Sequence, residues 1–137
     1  MIQAPTLREY MAETTDCIQI GDSLHDALKM MEKSGIPYLP VLEGSRLVGL
    51  LKNDSVRATA RLLGSEQFTV GDVMAPNPAF AAPDTSLYEI LDETPDHSYG
   101  CTVVQQKNGK VMGIFTPREA MRAVFDLAQQ SPLRENI

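Results

Sequence analysis

The sequence predicts an α+β protein made of two similar βαββα units, packed sheet against sheet with the helices outside. Three observations carry that expectation. The chain repeats when slid by 63 positions, so that "TLREYM" (6–11) lies over "TVGDVM" (69–74) and "DSLHDAL" (22–28) over "TSLYEIL" (85–91). Each half holds two short apolar runs joined by a turn, "YLPVL" with "RLVGLL" and "CTVVQQ" with "KVMGIF". Each half then closes on a stretch whose apolar residues recur at helical spacing. A lone unit of this size buries little core, so the two copies are expected to pack as one body.

The elements follow in order. Thr6-x-x-Glu9 has capping-box spacing and opens a short helical turn that ends at Met11. "CIQI" (17–20) reads as a short strand. Ser23-x-x-Asp26 opens a second helix, on which Leu24, Ala27, Leu28 and Met31 form the apolar face and Gly35 the C-cap. The first hairpin turns at Glu43-Gly44-Ser45, and a helix over about 54–63 follows, with Asn53 or Asp54 as its cap. Gly64 ends that helix, and "GSEQF" (64–68) links the halves.

The second half repeats the plan. Thr69-x-x-Asp72 caps a turn ending at Met74, "AFAA" (79–82) is extended, and Ser86-x-x-Glu89 opens a helix that Pro95 stops. Asn108-Gly109 signals a type I′ turn in the second hairpin. A final helix spans 117–129, and the tail "QQSPLRENI" (129–137) leaves it at Pro132. The expected units are 1–64 and 65–137, together one domain.

Composition limits the function classes. The chain has 137 residues, 43% hydrophobic and 22% charged, which is ordinary for a globular protein. With 12 basic and 18 acidic residues its net charge is −6, which disfavours the basic face a nucleic-acid binder needs. No export signal and no membrane-length apolar run is present, so a cytoplasmic location is expected, with no membrane partner. Cys17 and Cys101 are far apart in apolar contexts and read as reduced, buried thiols rather than a disulfide. His25 and His97 lack metal-ligand spacing with Cys or acidic residues, and "DETPD" (92–96) reads as a solvated loop. No G-x-S-x-G, P-loop or G-x-G-x-x-G pattern occurs.

The segments "VGDVMAPNPAFAAPDTSLYEIL", "SGIPYLPVLEGSRLVGLL" and "KNGKVMGIFTPREAM" resemble, as an ordered and repeated set, a tandem pair of cystathionine-β-synthase-type (CBS) domains. The resemblance covers about residues 5–127. It implies a regulatory or sensing module rather than an enzyme. It also implies an adenosine-containing regulatory ligand such as AMP, ADP, ATP, S-adenosylmethionine or NAD, with no required cofactor. Two related clefts would lie between the repeats, and pairs of this family often dimerise into a flat disc. A separate target protein is expected, since no catalytic or transport segment accompanies the repeats.

The family's ligand signature is G-h-h-[Ser/Thr]-x-x-Asp at the strand-to-helix junction closing each repeat. Its chemistry is physically intelligible. A carboxylate accepts hydrogen bonds from vicinal ribose hydroxyls, while a helix N-terminus and a hydroxyl face phosphate. In the second repeat the junction reads Gly113-Ile114-Phe115-Thr116-Pro117-Arg118-Glu119, with Glu in place of Asp. Thr116 as N-cap, Pro117 at N1 and Glu119 at N3 also form a capping box. The two roles are compatible, because ribose can displace the internal bond.

In the first repeat the junction reads Gly49-Leu50-Leu51-Lys52-Asn53-Asp54-Ser55. Lys52 replaces the hydroxyl and Ser55 the acid, so the Thr116 cleft is the favoured site and Lys52 a phosphate contact. Residues opening the hairpin strands complete the set: Tyr99, Gly100, Cys101 and Thr102, and from the first repeat Ile36, Pro37, Tyr38 and Leu39. Tyr38 and Tyr99 can stack on a base. Two rivals stand beside this reading. One is a ligand-free dimerisation or protein-interaction module, and the other is an enzyme, for which no nucleophile or acid–base pair is found. The closing helices carry more apolar residues than one core-facing stripe uses, among them Leu62, Leu63, Met121, Val124 and Phe125, which fits a homodimer.

Overall fold

A computed structural model describes residues 4–93 and 100–130; Pro95, His97, Tyr99 and the tail from Ser131 lie outside them. The first half runs α1 (Leu7–Tyr10), β1 (Ala12–Glu13), β2 (Ile18–Gln19), α2 (Leu24–Ser34), β3 (Tyr38–Glu43), β4 (Arg46–Lys52) and α3 (Asn53–Leu63). The second runs α4 (Val70–Val73), β5 (Ala75–Pro76), β6 (Ala79–Ala81), α5 (Leu87–Glu93), β7 (Thr102–Gln105), β8 (Val111–Phe115) and α6 (Pro117–Gln129). The α+β class and the doubled plan are as the sequence predicts.

Local chemistry explains most boundaries. Glu9 and Asp72 accept from the Thr6 and Thr69 N–H groups, at 2.7 and 2.9 Å, and so open α1 and α4. Ser23 accepts the Asp26 N–H at 3.1 Å, and Gly35 ends α2 in the left-handed region at φ 70°. Two expectations are corrected. Neither Asn53 nor Asp54 caps α3: Lys52 holds the cap position with no side-chain bond, and the Asn53 N–H donates to the Pro37 carbonyl at 2.9 Å. The Asn108-Gly109 turn is not type I′, because Gly109 takes φ 89° while Asn108 does not take a positive φ. Gln106 and Lys110 bracket a three-residue loop, and Asn108 Oδ1 accepts the Lys110 N–H at 3.0 Å, which holds the asparagine in its own side-chain turn.

The sheets do not follow the halves. One has strand order β2-β3-β4-β5 and the other β1-β8-β7-β6, so each half lends its opening strand to the other half's sheet. In the two sheets β2 pairs with β3, and β6 with β7, in parallel, and each hairpin is antiparallel. The exchange is driven by burial. Leu7 is fully buried with Leu87, Val104 and Phe115, while Val70 is fully buried with Leu24, Leu39 and Leu51. Two-residue strands have no such core of their own.

Alternation along β7 and β8 then joins the layers. Val104 and Phe115 face the helices, and Val103 and Ile114 face the other sheet, where they meet Leu50 in a cluster that also holds Cys101 and Val111 of their own half. The exchanged segments cross β4 and β8 where glycine leaves room. A methyl at Gly49 would overlap Met74 Sδ, and one at Gly113 would lie 2.5 Å from the Ala12 carbonyl oxygen. The glycines that open both junction motifs are therefore crossing points for the partner half's chain.

Candidate functional site

The passage from β8 into α6 is a polar junction closed by its own side chains. Thr116 is buried, its N–H donates to Glu119 Oε1 at 2.9 Å, and its hydroxyl donates to the same oxygen at 2.5 Å. Pro117 at the first helical position needs no N–H partner and presets the backbone. One hydroxyl, one carboxylate and the N-terminal end of a 13-residue helix thus meet at a single point. Glu119 uses one oxygen for both internal bonds, which leaves Oε2 for another donor.

Cys101 and Thr102 reach the same junction from the start of β7, where Thr102 pairs with Phe115 across the ladder. Both are buried. Burial, reinforced by the neighbouring Glu119 charge, pushes the Cys101 thiol up to about 12, against a smaller opposing effect of a Phe115 backbone hydrogen bond. It is therefore a protonated thiol at neutral pH and no nucleophile. Tyr38 approaches from the first half: a methyl at Gly100 would overlap its hydroxyl. Its phenol is raised by burial, then by the proximity of Cys101 and Asp54. Tyr38, Gly100, Cys101, Thr102, Thr116 and Glu119 thus converge across the boundary between the halves.

The remaining expected residues do not join them so closely. Arg118 and Lys52 are exposed, each at its own strand-to-helix junction, and Tyr99 lies outside the described residues. The first junction offers no matching hydroxyl–carboxylate pair, since Lys52 makes no cap bond and Asp54 and Ser55 are exposed. The second cysteine, Cys17, is a half-buried free thiol raised by burial, then by Asp16, to about 11. Among the described residues no group of His, Cys, Asp and Glu could hold a metal ion.

Sequence reasoning missed two parts of the surroundings. A cavity of about 760 Å3 lies between α5 and α6, touched by Cys101, Thr102 and Thr116 and walled by Ile90, Phe115 and Val124. The excess of apolar residues over 117–129 was its visible signal. The other is β1, which runs beside the junction with Ala12 opposite Ile114 and Glu13 opposite Gly113. Two residues of strand leave no periodic trace.

The CBS domain family model matches residues 7–59 and 70–126. Among solved structures, CBSX2 of Arabidopsis thaliana in complex with AMP is 22% identical, with TM-score 0.71 over 90% of this chain and 98% of that one. The CBS domain pair of protein MJ0100, in complex with 5′-methylthioadenosine and S-adenosyl-L-methionine, is 17% identical, with TM-score 0.77 and coverage of 90% and 98%. The CBS domain of a bacterial CNNM/CorC-family Mg2+ transporter, in complex with ATP, is 19% identical, with TM-score 0.72 and coverage of 85% and 84%. Among curated protein sequences, none matches this chain.

Proposed function

The chain belongs to the CBS domain family, as a tandem pair, and from that premise we propose that it is a regulatory module whose Thr116 junction binds an adenosine-containing ligand. The observation that carries this is the half-buried Thr116–Glu119 pair at the start of α6, with Cys101, Thr102 and Tyr38 gathered beside it. Glu119 exchanges its internal bonds for the ribose hydroxyls, and the released Thr116 hydroxyl and first-turn N–H groups face phosphate. Arg118 and Lys52 supply positive charge at the rim. Tyr38 and Tyr99 offer ring faces to the base, with Cys101 and Thr102 as its floor. The AMP, S-adenosylmethionine and ATP complexes of related folds support this ligand class; ADP and NAD belong to it as well.

A ligand held between the halves favours one relative arrangement of them, which is how binding becomes regulation. The module acts as a homodimer on a separate target protein and catalyses no reaction itself. Exposed Leu62, Leu63, Met121, Val124 and Phe125 on α3 and α6 support the dimer. The same surface favours a second reading, a ligand-free interaction module. Calorimetric titration with AMP, ATP and S-adenosylmethionine separates the two. Binding that Thr116→Ala with Glu119→Ala abolishes is expected; unchanged binding by that variant would place the site elsewhere.

A further inference from the structure

At the far end of the same hairpins, away from Thr116, a recess of about 600 Å3 opens between the two turns. Both halves build it. Ser45 and Arg46 come from the first turn, and Lys107 and Asn108 from the second. The third wall is Asn77–Phe80, where the chain crosses from β5 in one sheet to β6 in the other. Asn77 makes that crossing at φ 54°, a conformation asparagine tolerates.

The chemistry of the lining is unusual for this chain. The protein carries net charge −6, yet the described lining holds two cations and no carboxylate. Glu43, opposite Arg46 across the hairpin, does not line the recess. Phe80 is 64% exposed on the edge strand β6, over an apolar floor that includes Leu47, Val48 and Pro78. A single exposed ring is ordinary. A ring beside two cations, amide donors and no acid is a matched set.

The internal repeat supplies a control. The corresponding recess beside the other crossing measures about 330 Å3 and is lined by Thr15, Cys17 and Lys110 among others. Sliding the sequence by 63 puts Cys17 in the place of Phe80 and Gly44 in the place of Lys107. Fold symmetry alone would furnish both recesses alike, whereas only one has the ring and the second cation.

We propose that the recess at Arg46, Phe80 and Lys107 binds a small aromatic anion, a planar ring bearing a phosphate or a carboxylate. The ring lies on Phe80, and the charged group is held by Arg46, Lys107 and the neighbouring amides. The site is separate from the Thr116 junction, so it stands or falls independently of the adenosine reading.

Amide NMR titrations of the full chain with phenyl phosphate and with benzoate test it, with inorganic phosphate and benzyl alcohol as single-feature controls. Phenyl phosphate, benzoate or both should shift the Ser45, Leu47, Phe80 and Gly109 amides with a Kd near ~1 mM, and the pair identifies the preferred anion. Each control is expected to bind about tenfold more weakly, as are Phe80→Ser and the double variant Arg46→Ala with Lys107→Ala. Saturating AMP should leave these shifts in place. Silence at those amides up to about 10 mM of both aromatic anions would overturn the proposal. So would equal binding of inorganic phosphate, or shifts confined to 116–120 that AMP displaces.

Discussion

Glu119 closes the start of α6 with one carboxylate, and the proposed function gives the same carboxylate a role in recognition. In the structure it accepts two bonds from Thr116 through a single oxygen, so the cap is complete without a ligand. Thr116→Ala alone is expected to cost about 1 kcal/mol in urea unfolding, the usual worth of an N-cap. Thr116→Ser should recover most of it. The thiols give a second residue-scale expectation. Cys101 and Cys17 ionise near 12 and 11 in the folded protein, against an ordinary 9.0. Unfolded thiols therefore lose protons first as pH rises past about 9, and the unfolded state gains. Stability is fully present below pH ~9 and should fall between there and about 11–12, with a smaller fall in Cys101→Ala; a thiol reagent at pH 8 should react slowly with native protein. At this scale the cap was legible because i, i+3 spacing is local. The approach of Tyr38 to Gly100 was not, since it joins residues from different halves.

Among elements, the exchange of opening segments shapes the molecule most. Leu7 is completely buried in the second half's core although α1 has only four residues. Leu7→Ala is expected to cost about 2–5 kcal/mol, as core truncations do, whereas an isolated surface turn would lose far less. The crossing glycines differ in what a methyl would strike. At Gly49 the nearest atom is the Met74 side chain, which can shift; at Gly113 it is the Ala12 backbone oxygen. Gly113→Ala should therefore destabilise by about 1–3 kcal/mol, and more than Gly49→Ala, in denaturant titrations. Helices, hairpins and most caps were legible from periodicity and turn chemistry. The exchange was not, because β1 and β5 have two residues each and pair with strands about a hundred or twenty-five positions away. The α3 cap failed for a related reason: the Pro37 carbonyl, not a side chain of the junction, satisfies the Asn53 N–H.

For the whole molecule, the two halves are one body because each contributes to the other's core, so a ligand at their boundary acts on both. Exposed Met121 (74%) and Phe125 (62%) on α6 are expected to be covered by a second copy. Met121→Glu with Phe125→Glu should shift sedimentation from dimer to monomer; a wild-type monomer at high concentration would remove that assembly. The repeat, read as an offset of 63 positions, made the doubled architecture visible in the sequence, and the family match agrees with it. Laid over one another, the copies also showed that the two junctions differ, with Lys52 and Ser55 where the second has Thr116 and Glu119; what the offset could not reveal is that Tyr38 of the first half reaches Gly100 of the second. The direct test of the adenosine reading is isothermal titration of the wild-type chain with AMP, ATP and S-adenosylmethionine, repeated on Thr116→Ala with Glu119→Ala. Selective saturable binding that disappears in a still-folded double variant is the expected result. Absence of heat with all three ligands, or equal affinity in the two proteins, would contradict the assignment of Thr116 and Glu119 to an adenosine site.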